Sequence, residues 1–314
     1  MDFRTEINIK EFPFQIDYQS KIFGLGSCFI DNIKTRFEYY QFQELINPFG
    51  TIFNPVSIKK ILDRIVNQEY FTENDVFFHN NTWKSYDLHS KFNREDKEKL
   101  LTHANQYLDK SLAFLQQTDF AFFTFGTAWI YKLKNQDTVV NNCHKVSPQA
   151  FDKICLSPTE IIEELTIITK LIKRINPTIK IFFTVSPVRH LRDGFVENQQ
   201  SKAHLLTAVH QVINNQNSYY FPSYEIMMDD LRDYRFYKDD FIHPNDLAID
   251  YIWQLVCKNL IKPEAHNTMQ AVSKIRKSIA HKAFNEQSEA YRKHLQQIEL
   301  QIQNLQKYFP WMQF

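Results

Sequence analysis

The stretch FGLGSCFIDNI (Phe23–Ile33) passes from an apolar run through a Gly-Ser-Cys corner into helical spacing. Lys21–Leu25 reads as a short buried strand that ends at Gly26. Apolar residues then return at Phe29, Ile33, Phe37 and Tyr40, the three-to-four-residue step of a helix. Two nucleophilic side chains, Ser27 and Cys28, stand at the corner.

The same alternation continues downstream. The loop NPFGTIFNP (Asn47–Pro55) is punctuated by two prolines and a glycine, and Ile58, Ile61, Leu62 and Ile65 follow as one face of a helix. Val76–Ser90 is aromatic and irregular, and Leu100 to Leu115 is helical. FAFFTF (Phe120–Phe125) is a continuous apolar run, as expected of a strand covered on both faces, and it stops at Gly126. Ser157-Pro158-Thr159-Glu160 is a capping box that opens a helix running to Ile175. Ile179–Val185 is a second buried strand, ending in SPVRH (Ser186–His190). A helix around Ser201–Asn214, a strand near Tyr219–Phe221 and a helix over Asp246–Leu260 complete the pattern. Strand and helix in alternation predict an α/β domain with a mostly parallel sheet. Ligands of such sheets bind at the strands' C-terminal ends, where GSC, FGT and SPVRH all fall.

Composition bounds the function. The 314 residues are 43% apolar and 23% charged with a net charge of +1, so neither a nucleic-acid surface nor an acidic arm is expected. The N-terminus MDFRTEINIKEF lacks the apolar core of a secretory signal, and no uncharged apolar run reaches the ~20 residues that span a bilayer. Cys28, Cys143, Cys155 and Cys257 form no C-x-x-C pair. A cytoplasmic protein without disulfides, metal or bound cofactor is therefore expected, with no membrane partner. From about His266 the pattern changes: Tyr291, Leu295, Ile298, Ile302, Leu305 and Phe309 make one apolar seam on a long helix. Residues 1–262 are read as one domain and 263–314 as a helical extension. Its seam suits packing on the core or pairing with a second copy as a homodimer.

Asp240 stands three residues before His243, and Pro244 biases that histidine to an extended conformation. Acid, histidine and a hydroxyl or thiol are the parts of a nucleophilic triad. The order of these parts, with a nucleophile in the first strand–helix turn and D-x-x-H near the end, resembles the SGNH (GDSL-like) hydrolase superfamily. The chain resembles more narrowly the GSCFA domain family, on GSCFI (Gly26–Ile30), NPFGTIFNP, TFGTAWIY (Thr124–Tyr131), NCHK (Asn142–Lys145), SPVRH, SKA (Ser201–Ala203) and YFPSYEIMMDDLRDYRFYKDDFIHP (Tyr220–Pro244). The resemblance implies a three-layer α/β/α, flavodoxin-like fold.

It also implies roles, position by position. Aligned on Gly26, Cys28 takes the nucleophile's place and Ser27 that of the superfamily's aspartate. Gly50 matches the second block, whose glycine N–H faces the oxyanion. Gly126 matches the third, but Ala128 and Trp129 stand where that block carries Asn and Asp, so one oxyanion donor is missing. Thr127, Asn47 and Asn54 are candidates to replace it. Asp240 and His243 match fully. The field at a helix N-terminus lowers a thiol's pKa, which favours Cys28 as attacker, with Ser27 as the alternative.

Arg189 and His190 are candidates to bind an anionic group of a substrate. Cys143-His144 reads as structural or as a site wall, Trp83, Tyr86 and His89 as an aromatic loop, and Asp229-Asp230 as a solvated helix face. The expected chemistry is hydrolysis or transfer of an acyl group from an ester or thioester, on a small-molecule or carbohydrate substrate. An acyl donor such as acetyl-coenzyme A suits the transferase version, though no motif demands it. The rival expectation is a binding or interaction protein on the same scaffold, without turnover.

Overall fold

A computed structural model describes residues 5–213, 217–281 and 288–314. Strand β1 (Lys21–Gly26), helix α1 (Cys28–Tyr39) and strand β2 (Gln43–Ile46) form the first unit. Helix α2 (Pro55–Asn67), a hairpin of β3 (Phe77–His79) and β4 (Thr82–Lys84), and helix α3 (Lys97–Leu115) lead to β5 (Phe120–Phe125). Strands β6 (Trp129–Leu133), β7 (Thr138–Val140) and β8 (Phe151–Cys155) form an antiparallel excursion. Then come α4 (Pro158–Ile175), β9 (Lys180–Val185), α5 (Phe195–Val212) and β10 (Ser218–Tyr220). A short helical turn α6 (Ser223–Glu225) precedes α7 (Asp246–Leu260), α8 (Pro263–Ala280) and α9 (Glu289–Tyr308).

The central sheet has the order β10-β9-β5-β1-β2, and every pairing in it is parallel. The chain adds β2 on one side of β1 and then crosses to place β5 on the other. The crossing point between β1 and β5 is where such a sheet opens a crevice for ligand. Gly26 of β1 pairs with Thr124 of β5, so the two strand ends lie side by side there.

Both sheet faces are covered, which explains why the strands read as unbroken apolar runs. Phe23, Leu25, Ala121, Phe123, Phe125, Ile181, Phe183 and Val185 face one core with α2, α3, α4 and α5. Ile22, Phe120 and Phe182 face the other with α1, α7 and α8. The expected three layers are present.

The hairpin β3–β4 and the β6–β8 sheet were not expected from the sequence. Their strands are three to five residues long, too short to show a period. Asn80 and Asn81 both take left-handed backbone angles, φ 47° and 59°, which suit a two-residue hairpin turn. Helix α5 begins at Phe195, earlier than expected, and Asn214, its expected end, lies outside the described residues. Asp229 is exposed and pairs with Arg232, but Asp230 is buried and accepts the Tyr251 hydroxyl at 2.7 Å, which corrects the reading of a solvated pair.

The apolar seam of α9 is used within the chain at its C-terminal half. Ile298 is buried, and Leu305 and Phe309 pack on the α1/α7 core. The Phe309 ring lies 5.0 Å from that of Tyr18, and Trp311 donates its indole N–H to Gln41 O at 3.2 Å. No helix among the described residues is long and apolar enough to cross a membrane.

Candidate active site

The corner that opens the sequence is a strand end followed at once by a helix N-terminus. Ser27 is the N-cap of α1. It is fully buried, and its hydroxyl accepts the Phe29 N–H at 3.4 Å. Cys28 is the first residue of the helix and is half-buried. At that position its own N–H has no partner within the helix.

The Asp240–His243 pair forms as the spacing predicts. Asp240 Oδ2 accepts from His243 Nδ1 at 2.7 Å, while Oδ1 accepts the Ile242 and His243 backbone N–H groups at 2.8 and 3.0 Å. Those hydrogen bonds hold the Asp240 carboxyl down at about 2. Nδ1 is thereby committed to Asp240, which leaves Nε2 of His243 for another partner. Phe241 between them has φ 55°, the strained corner that brings acid and histidine together.

Arg189 latches this loop to the next. Its N–H donates to Ile242 O at 3.2 Å and its guanidinium to Phe241 O at 3.0 Å, over the rings of Phe195, Tyr234 and Tyr237. Arg189 is thus engaged as a clamp between the two loops. The neighbouring His190 reaches the Gly26–Cys28 turn. Its Nε2 lies 3.0 Å from the point a Cβ on Gly126 would occupy, and Ser27 Cβ lies 3.2 Å from the same point. A side chain at residue 126 would displace one or the other. Burial, with the charges of Lys202 and His243 adding, pushes His190 down to about 3. It is neutral at ordinary pH, so any bond it makes to an anionic group is donated by an uncharged imidazole.

The expected oxyanion groups are mostly occupied. The Gly50 N–H donates to Asn47 O at 2.9 Å, and the Gly126 and Thr127 N–H groups both donate to Phe53 O at 2.7 and 3.1 Å. The Thr127 hydroxyl pairs with Ser201 Oγ at 3.1 Å and accepts the Trp129 N–H at 3.0 Å. Asn47 braces the turn: Oδ1 accepts the Gly26 N–H and Nδ2 donates to Asp31, both at 2.8 Å. These bonds fix the four residues in the wall of the site. Asn54 caps α2 through Oδ1, accepting from Ser57 N–H at 2.9 Å, so only its amide N–H₂ is left for another partner.

The thiol also departs from the state expected at a helix N-terminus. Burial, then the Asp31 carboxylate, push Cys28 up to about 11, against the downward pull of Lys202 and Lys238. Burial thus outweighs the field of the helix terminus, and the thiol rests protonated. Of Cys143-His144, read as structural or as a site wall, His144 is buried and its Nε2 meets Ser85 O at 2.7 Å.

Lys202 was not singled out in the sequence, although it lies in the SKA stretch. On α5 it shares the buried face with Asn198, Ser201, Leu205 and Val209, a helical spacing that places a lysine among inward positions. Its ammonium donates to Gly126 O at 2.6 Å and Ser186 O at 2.7 Å, tying the ends of β5 and β9 together beneath the site. Burial pushes the amine down from 10.5 to about 7, and the Cys28 thiolate form would raise it. Between those values the unfolded chain binds the extra proton, so this group's share of stability rises with pH and is lost as pH falls toward 7. The unfolding free energy of wild type minus that of Lys202→Met is therefore expected to rise from pH 7 to 10. Denaturant melts at several pH values measure it, and a constant difference would contradict the shift.

The comparisons bear on this geometry. Two solved structures align over most of the chain at low similarity. The crystal structure of a carbohydrate esterase family 3 from Talaromyces cellulolyticus has 9% identity and TM-score 0.37, covering 81% of this chain and 99% of that one. The crystal structure of an acetyl esterase mutant with acetate ion has 9% identity and TM-score 0.36, covering 82% and 99%. Neither carries weight for the reaction at those values. No curated protein matches the chain. The model of the GSCFA family matches residues 21–255, and that of the GSCFA domain protein C-terminal domain matches residues 272–314. The matched span holds the Ser27–Cys28 turn, the SPVRH loop and the Asp240–His243 pair, and the chain belongs to the GSCFA family.

Proposed function

We propose that the protein transfers acyl groups from an ester or thioester to water or another acceptor, in the manner of SGNH hydrolases. The observation that carries this reading is a continuous linkage. The Asp240–His243 pair is held through Arg189 to the loop whose next residue, His190, sits against the Gly126–Ser27 corner. In this reading Cys28 Sγ attacks the carbonyl carbon and its proton passes to His243 Nε2. The C=O electron pair moves onto oxygen. Collapse of that intermediate expels the leaving group, which takes the proton from His243. An acceptor then repeats the sequence on the acyl-enzyme. Ser27, buried and used as a helix cap, is the weaker candidate for attack.

The thiol held at about 11 favours a rival reading, a binding protein on the same scaffold. Turnover of p-nitrophenyl acetate separates the two. His243→Ala is expected to cut kcat about 1000-fold, and Asp240→Asn a similar or smaller amount. Wild-type protein without turnover would favour the binding reading, and His243→Ala at wild-type rate would contradict the role given to His243.

A further inference from the structure

The third block of the superfamily pattern supplies an Asn amide to the oxyanion, and here Ala128 stands in its place, buried and without a polar side-chain atom. The Gly50 N–H is spent on Asn47 O, the Gly126 and Thr127 N–H groups are spent on Phe53 O, and the Thr127 hydroxyl is paired with Ser201. An oxyanion developing at Cys28 is therefore left with fewer donors than the pattern supplies. His190 Nε2 is buried and has no hydrogen-bond partner among the described residues, the state of a donor whose acceptor arrives with substrate.

Its position is set from three sides. The His190 backbone N–H donates to Asn198 Oδ1 at 2.9 Å, fixing the loop to α5. The Phe53 ring stands edge-on to the imidazole, 5.6 Å between centroids. The absent side chain of Gly126 leaves the space into which Nε2 points, beside Ser27.

Resting on the acyl-transfer reading, we propose that His190 is a catalytic residue. Its neutral Nε2–H donates to the carbonyl oxygen as that oxygen gains the electron pair, in the role the missing Asn fills elsewhere. The donor set is then His190 Nε2–H with the Cys28 backbone N–H. Neutrality matters because the imidazole donates without giving up its proton, and the proton traffic stays with His243. The low affinity of His190 for a second proton agrees with this division.

The test compares wild type, Cys28→Ala, His190→Phe, His190→Gln and His190→Ala in p-nitrophenyl acetate turnover, with Tm recorded for each. His190→Phe fills the same space without an N–H and is expected to lower kcat about 100-fold with KM little changed. His190→Gln restores an amide donor and should recover part of that loss. Should His190→Ala fail to fold, the Phe variant carries the comparison. A folded His190→Phe with kcat within about threefold of wild type, in a protein whose turnover Cys28→Ala abolishes, overturns the role of His190 alone. Absence of wild-type turnover overturns the acyl-transfer reading and this role with it.

Discussion

Cys28→Ala is expected to abolish acyl transfer, lowering p-nitrophenyl acetate turnover at least about 1000-fold, while the protein melts close to the wild-type temperature. The two halves of that expectation come from different features. Cys28 is half-buried at the first turn of α1, so trimming its sulfur removes little packing. Ser27→Ala should behave the other way. It deletes the cap of α1 and lowers stability by about 1 kcal/mol, while the thiol remains to attack. Because burial and Asp31 keep the thiol protonated to about pH 11, free alkylation of Cys28 by iodoacetamide should be slow at pH 7 and climb as pH approaches 11. Turnover should instead be substantial near neutrality, since His243 removes the proton during attack. A thiol that alkylates at its full rate at pH 7 would contradict the buried, protonated state.

Gly26→Ala is expected to cost about 3 kcal/mol or more and to leave the site unformed. A Cβ at this position would sit 2.4 Å from Thr124 O, 2.8 Å from Thr124 N and 2.7 Å from Thr124 Cβ. Those atoms belong to the backbone and root of β5, the middle strand, which cannot move without breaking its ladders to β1 and β9. The same close approach lets Ser27 N–H reach Thr124 O at 2.9 Å and Ile52 N–H reach Gly26 O at 2.9 Å. The variant therefore loses both core packing and the bonds that seat the turn. Urea melts measure the loss, and a Gly26→Ala protein of wild-type stability would contradict the strand-to-strand contact.

How much of this was legible depended on range. The β1–α1 corner, the fully apolar β5 and β9, and the capping box of α4 are local patterns, and their positions follow from periodicity and capping alone. Asp240 and His243 are three residues apart, so their pairing is also local. The thiol's state was not legible. The helix-terminal field depends on neighbours in sequence, whereas the burial that outweighs it comes from the folded core around the turn. The consumed donors of Gly50, Gly126 and Thr127 were hidden for a similar reason, because their acceptors, Asn47 O and Phe53 O, are backbone atoms without a residue signature. Lys202 left a trace in its inward position on α5, but its two carbonyl partners come from other strands. His190 was picked out by its place after a buried strand, and only the fold showed that it is neutral and faces Gly126.

The identity of the attacking atom can be read from the acyl-enzyme itself. Wild-type protein mixed with p-nitrophenyl acetate, quenched in acid during the first turnovers and digested for mass spectrometry, should carry one acetyl group on the peptide spanning the GSC turn, with fragmentation placing it on Cys28. An acetyl group on Ser27, or none on this peptide while p-nitrophenol is being released, would contradict a thiol nucleophile at the end of β1.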